Sequence, residues 1–357
     1  MPTKRDPRRI RRRHPRPGVT IHDVAARAGV SVATVSRVLN GKELVREETS
    51  RQVLEAARSL RYVPNVAARS LSIRRSHTIG IVLPDVHGEF FSEVIRGLDV
   101  AARHAGYHIL VSGSHSDIAE MLEMVDTMRG RVDGLVVMAP DVGPAALREQ
   151  LRSDLPLVLL NAGDGDRDVI TFDNHGAAQA MTNHLASLRH QRIAFIKGPA
   201  QNNDARERLR GYRQAMRKLG SDDLRLEVAG NFTEESGEEA ARTIVQAEPR
   251  PTAIFAANDS MAVGALAALA AAGVAVPEAM AVAGFDDIPI ARYVNPPLTT
   301  VRVDIAELGR RAFALLVDAI TDPSREPRRE LVDTTLVIRA SCGAQRHIGR
   351  MTKGDQS

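Results

Sequence analysis

Two hydrophobic rhythms divide the chain. From about Thr20 to Arg61, apolar positions recur at helical spacing, and from His77 onward short apolar runs alternate with helical stretches. In TIHDVAARAGVSVATVSRVLNG, Thr20 and Asp23 form a T-x-x-D capping box, and Ile21, Val24, Ala25 and Ala28 line one helix face. Gly29 stops that helix, Ser31 caps a second, and Val35, Val38 and Leu39 face inward from Val32 to Leu39. A third helix, about Glu47 to Arg61, directs Val53, Leu54, Ala57 and Leu60 into the same small core. Two short helices across a tight glycine turn make a helix-turn-helix.

Pro64–Leu71, PNVAARSL, reads as one more short helix, followed by the linker SIRRS. A helix of that length is marginal alone and orders only when something packs on it. Beyond it, TIGIVLP, YHILVSG, GLVVMAP, LPLVLLN, RIAFIKG, TAIFAAN and MAVAGFD read as strands, interleaved with helices such as FSEVIRGLDVAARHAG and DSMAVGALAALAAAG. The alternation predicts a doubly wound α/β arrangement, and about 265 residues favour two lobes over one. Ligands bind at the carboxyl ends of such strands. Asp85, Asn161, Asn258 and Asp286 stand at those ends.

Charge sharpens the division. Residues 1–75 hold 18 Lys and Arg against 6 Asp and Glu, whereas the remainder holds 30 against 38. A basic head on an acidic body points to a polyanionic partner. Residues 1–18, rich in Arg and Pro, predict a disordered basic arm. No apolar core follows them, so an export signal is rejected and the cytoplasm is expected. No apolar run is long enough to span a membrane. The single cysteine, Cys342, excludes an internal disulfide and a thiolate cluster. His104, His108 and His115 lack metal-ligand spacing, and neither a cofactor nor a metal is expected. Nucleophile-elbow, phosphate-loop, zinc-protease and dinucleotide patterns are missing, which sets an enzyme aside. A transport binding protein would share the core fold, but not the basic head.

VTIHDVAARAGVSVATVSRVLNG, RYVPNVAARSL, IGIVLPDVHGEFFSEVIRGL, ANDSMAVGAL, VAGFDD and PPLTTVR together resemble the lactose/galactose repressor family of transcriptional regulators, in order and spacing from Val19 to Ala340. The resemblance implies an all-α helix-turn-helix headgroup (19–63), a hinge helix and linker (64–76) and a two-lobed α/β core like type I periplasmic binding proteins (77–342). The N-lobe would hold about 77–174 and 305–329, and the C-lobe about 175–304 and 330–342, followed by a flexible tail at 343–357. That tail has no heptads, so a homodimer is expected. One departure lies before the Phe pair, where the family commonly has Asn-Pro and this chain has Gly88-Glu89.

The resemblance also assigns roles. Val32, Ala33 and Arg37 would face bases in the major groove of an operator duplex, with Arg37 placed to grip guanine O6 and N7. Thr20, Ser31, Thr34, Ser36, Asn40, Thr49 and Tyr62 would supply phosphate contacts. Asn65, Ala68 and Leu71 belong to the hinge helix, with Leu71 as a minor-groove wedge at the centre of a pseudo-palindrome. An effector would lie among Phe90, Phe91, Asn202, Asp204, Arg208, Phe232, Asn258 and Asp286, and would shift the hinge helices between formed and melted states. A pentose, hexose or related carbohydrate is the first reading of that effector. A purine or nucleoside sandwiched by Phe90, Phe91 and Phe232 is the second, and a protein coeffector the third.

Overall fold

The computed structural model describes residues 19–39, 45–62, 75–151, 155–162 and 167–344. They belong to two compact units, divided after Ser76. The smaller unit contains α1 (Ile21–Ala28), α2 (Val32–Leu39) and α3 (Glu47–Ser59). The Asp23 carboxylate accepts from the N–H and the hydroxyl of Thr20, at 2.7 and 2.8 Å, and these bonds hold its pKa below the ordinary Asp value. Gly29 ends α1 with φ at +66°, the left-handed backbone that glycine adopts freely. Ser31 opens α2 by accepting from the Thr34 N–H at 3.2 Å.

Val24, Ala25, Val35, Val53, Ala56 and Ala57 form the head's core. Leu54 departs from expectation, because it is 42% exposed. Val53, Ala56 and Ala57 already share one face at helical spacing, and Leu54 is rotated about 100° from Val53. The expected hinge helix, with Asn65, Ala68 and Leu71, lies outside the described residues, as do Asn40, the arm at 1–18 and the tail from 345.

The larger unit holds two six-stranded sheets. The first comprises β1 (Thr78–Leu83), β2 (His108–Gly113), β3 (Gly134–Met138), β4 (Leu157–Leu160), β5 (Asp168–Phe172) and β11 (Arg329–Val332). The second comprises β6 (Ile193–Ile196), β7 (Leu226–Val228), β8 (Ala253–Ala256), β9 (Ala281–Asp286), β10 (Thr299–Val303) and β12 (Thr334–Val337). Their orders match: β11-β5-β4-β3-β1-β2 and β12-β10-β9-β8-β6-β7. The N-lobe therefore repeats the C-lobe's topology. All pairs are parallel except β10 with β12.

The chain crosses between lobes near Asp173, Asp304 and Asp333. β11 pairs with β5 through Val332, so the last boundary falls after Val332 rather than after residue 329. Asp173 caps α7 (Asn174–Ser187), and Asp304 caps α11 (Ile305–Thr321), each accepting from the N–H three residues on.

Alternation within the strands buries both sheet faces, as parallel sheets require. In the N-lobe, Ile81, Val136 and Val158 face one cluster, while Val82, Val137 and Leu159 face another under α5 (Ile118–Met128) and α6 (Pro144–Gln150). Across the N-lobe, α4 (Glu89–His104) crosses α11 backbone to backbone. A Cβ at Gly309 would collide with the Val94 carbonyl oxygen, and one at Gly97 with that of Ala306. Only glycine permits that approach. In the C-lobe, α8 (Asn203–Lys218) places Tyr212 with its hydroxyl 2.6 Å from the Ile193 carbonyl and its ring stacked on Phe195.

Candidate functional site

Between the two lobes lies a cavity of about 290 Å³. The N-lobe contributes the loop after β1 and the start of α4, and the C-lobe contributes the starts of α8, α9 (Glu234–Val245) and α10 (Asp259–Ala271). All eight residues assigned by sequence to an effector line it: Phe90 and Phe91 from the N-lobe, with Asn202, Asp204, Arg208, Phe232, Asn258 and Asp286 from the C-lobe.

Arg208 is the hub. It is 4% exposed and spends every nitrogen on the protein. Its Nε donates to Asn174 Oδ1 at 2.8 Å, its Nη1 to the Ala257 carbonyl at 2.5 Å, and its Nη2 lies 3.1 Å from Asp286 Oδ1. The guanidinium carbon sits 3.8 Å from the centre of the Phe285 ring. Such stacking suits a planar, weakly hydrated cation. Asp286 Oδ1 is close to Arg208 but meets no aligned hydrogen-bond donor among the described residues. Burial pushes the Asp286 carboxyl up to about 6, against the opposing pull of Arg208.

Asp204 receives two amides, Asn161 Nδ2 and Asn174 Nδ2, each at 2.9 Å. Burial still dominates and pushes its carboxyl up to about 7, while Arg208 pulls the other way. Asn174 thus donates to Asp204 and accepts from Arg208, fixing both side chains. Behind them, Asp259 accepts from the Thr300 hydroxyl at 2.6 Å and from the Ile288 N–H at 3.0 Å, and burial drives its pKa well above the ordinary value.

Two expected ligand contacts have structural duties as well. Asn202 caps α8 through the Ala205 N–H, and its amide reaches Asp141 at 3.1 Å. Asn258 caps α10 through the Met261 N–H, and its amide holds the Phe232 carbonyl at 3.0 Å. Phe90 and Phe91 meet edge to face, with ring centres 5.6 Å apart. Phe232, Asn161 and Asp286 all have left-handed backbones, with φ of 75°, 50° and 111°. Non-glycine residues held this way concentrate at sites where side chains must be aimed.

The lobes are tied across the cleft by Asn161 to Asp204 and Asn202 to Asp141, and by the Asn203 N–H to the Pro140 carbonyl at 2.8 Å. At the mouth, Glu89 accepts from the Ile290 N–H at 2.8 Å. Glu89 belongs to the Gly88-Glu89 departure, so that change supplies an interlobe bond. Sequence reasoning did not select Glu89, Asp141 or Asn174. Asn161 stood out only as a polar residue at a strand end.

The head offers a separate surface. Ala33 and Arg37 are exposed on α2, whereas Val32 is half-buried and packs on the head's core, which limits its reach toward bases. The Ser31 and Thr34 hydroxyls are 2.9 Å apart. Thr20 bonds Asp23, Ser36 and Thr49 are half-exposed, and Tyr62 packs against the core with its N–H on the Ala57 carbonyl. Among the described residues, no helix is long and apolar enough to cross a membrane.

Residues 20–65 match the family described as bacterial regulatory proteins, lacI family, and residues 182–342 match the periplasmic binding protein-like domain. The ribose operon repressor of Escherichia coli (strain K12) is 36% identical over 327 residues, covering 90% of this chain and 99% of the relative. A crystal structure of the lac repressor dimer bound to operator and the anti-inducer ONPF superposes with a TM-score of 0.83 at 29% identity, covering 91% of this chain and 99% of that one. A LacI family transcriptional regulator from Enterococcus faecium with bound ribose superposes with a TM-score of 0.68 at 26% identity, over 74% and 98% of the two chains.

Proposed function

The chain belongs to the LacI family of bacterial regulatory proteins, and we propose that it is a homodimeric repressor whose interlobe cleft senses a carbohydrate. The observation that carries this reading is the polar lining around Arg208. Asp204 and Asp286 present acceptors in fixed positions on the cavity wall, and Phe90, Phe91 and Phe232 present flat apolar faces. Sugars are bound by that combination of directed hydrogen bonds and ring stacking. The bound ribose in the Enterococcus faecium relative and the operon served by the Escherichia coli relative favour a pentose first. A purine nucleoside is the second reading, supported by the three phenylalanines on the cavity wall.

On the DNA side, Arg37 is the base reader and Ala33 an apolar contact, with Ser31, Thr34, Ser36, Thr49 and Tyr62 directed to phosphates. Leu71 is the central wedge. The effector acts by shifting the balance between lobe arrangements and thereby the spacing of paired hinge segments. The cleft reads as a sensing site rather than a catalytic one, because the relatives are repressors and Arg208 is committed to protein acceptors. The protein works in the cytoplasm, where the chromosome is.

A thermal-shift screen of the full chain against pentoses, hexoses, polyols, purines and nucleosides tests the sensing role. A ligand at about 100 times its Kd adds roughly 2.7 kcal/mol of stability. A response among free sugars is expected, while a response confined to purines would replace the carbohydrate reading with the second one.

A further inference from the structure

The ends of four helices meet at the cleft. α4, α8, α9 and α10 all begin on its wall. Bare helix N-termini offer unpaired N–H groups and a positive dipole end, and they are common phosphate sites. Here each terminus carries its own acid in the first turn: Glu89, Asp204, Glu234 and Asp259. Three of them are also capped internally, by Asn202, Thr233 and Asn258. Three of the four seats that an anion would take are capped from within the chain, and the fourth, at α4, carries Glu89.

The side chains repeat the pattern. Among the described residues on the cavity wall, Asp85, Glu89, Asp141, Asp204, Glu234 and Asp286 face two basic residues, His87 and Arg208. Arg208 is already bonded at Nε and Nη1 and ion-paired at Nη2. Among the described residues on the wall, no uncommitted guanidinium is left to grip a phosphate. Burial favours protonation of Asp204 and Asp286, which removes negative charge but supplies no cation.

We infer that the cleft takes uncharged ligands and rejects their phosphate esters. This rests on the sensing role proposed above and narrows it: the signal is a free polyhydroxyl compound, formed before any phosphorylation or after a phosphate has been removed. A phosphoryl group would be desolvated against carboxylates with no free guanidinium or ammonium in reach among the described residues, a repulsive form of selectivity.

Calorimetric titration of the full chain with ribose against ribose 5-phosphate, and with adenosine against adenosine 5′-monophosphate, tests this directly. In either pair that contains a binder, the uncharged member is expected to bind at least about tenfold tighter. A phosphate ester that binds better than its parent overturns the inference. Preference for adenosine over its monophosphate, with ribose silent, removes the carbohydrate reading and leaves the charge rule standing.

If all four are silent, inorganic phosphate decides. Phosphate and chloride at matched ionic strength are compared by thermal shift in the wild type, Arg208→Gln and Asp286→Asn. The basic head is the same in all three and cancels. The expected result is no phosphate-specific shift in the wild type and a gained shift in Asp286→Asn, where Arg208 loses its carboxylate. A wild-type shift that disappears in Arg208→Gln overturns the inference.

Discussion

Asn161, in the N-lobe, donates its side-chain amide to the carboxylate of Asp204, in the C-lobe, across 2.9 Å. The bond makes a cleft residue part of the linkage between lobes. Whatever displaces or strengthens it changes how the lobes are held. Asn161→Ala is therefore expected to alter the effector concentration needed for half-maximal response by about tenfold, with operator affinity in the absence of effector nearly preserved. Titration of effector against a labelled operator complex measures both. An unchanged midpoint would remove this bond from signal transmission.

Asp204 also sets a pH dependence. Its carboxyl is pushed from the ordinary Asp range up to about 7 in the folded protein. The folded state therefore binds more protons than the unfolded state between about pH 4 and 7. This stabilising contribution is complete below the unfolded pKa and is lost as pH rises through the folded one. Asp204→Asn is expected to flatten the fall in Tm between about pH 5 and 7.5. A variant with the wild-type slope would place the pH dependence elsewhere.

Arg208→Lys keeps one charge but cannot reproduce two directed hydrogen bonds, an ion pair and a stacked plane. We expect loss of effector response and a destabilisation of about 3 kcal/mol, because Asp286 is left buried beside a poor partner. Denaturant melts report stability, and effector titration reports response. A stable variant with normal response would remove Arg208 from the site.

Arg37→Ala tests the head alone. Arg37 is exposed on α2 and lies outside the head's core. The loss expected is about 1–3 kcal/mol of discrimination at one base position in each half-site, with ligand binding by the core unchanged. Equal weakening on every duplex would make Arg37 a phosphate contact.

The helix crossing at Gly309 has no such redundancy. Gly309→Ala forces a Cβ against the Val94 carbonyl, and the backbones must part. A cost of about 1–3 kcal/mol is expected, read as a Tm several degrees lower. A neutral Gly309→Ala would mean that the two helices can separate freely.

Much of this was legible in the sequence, and the exceptions are instructive. The seven strands read from apolar runs lie at β1, β2, β3, β4, β6, β8 and β9. The five that escaped notice are β5, β7, β10, β11 and β12. Three of these, β7, β11 and β12, are sheet edges, where one side faces solvent and the apolar signal fades. β5 begins with Asp168, whose charge hides a strand and is answered by Arg325 at 2.6 Å, 157 residues away.

Leu54 shows the opposite error, since an apolar residue need not face inward when its neighbours fill the core. In the cleft, motif spacing brought the eight expected residues to one cavity. It could not reveal Asp141 or Glu89, whose roles arise only when two lobes meet, or Asn174, whose partners on α8 lie 30 and 34 residues away.

The decisive measurement is operator affinity in the presence of a cleft ligand. A duplex selected from a random pool by the full chain is labelled, and its Kd is measured by fluorescence anisotropy with and without saturating free pentoses, hexoses and nucleosides. The expected result is a change of at least about tenfold with one uncharged compound in the wild type, and none with Arg208→Ala. An operator affinity indifferent to every such compound, or one that shifts equally in Arg208→Ala, would contradict a regulator governed through this cleft.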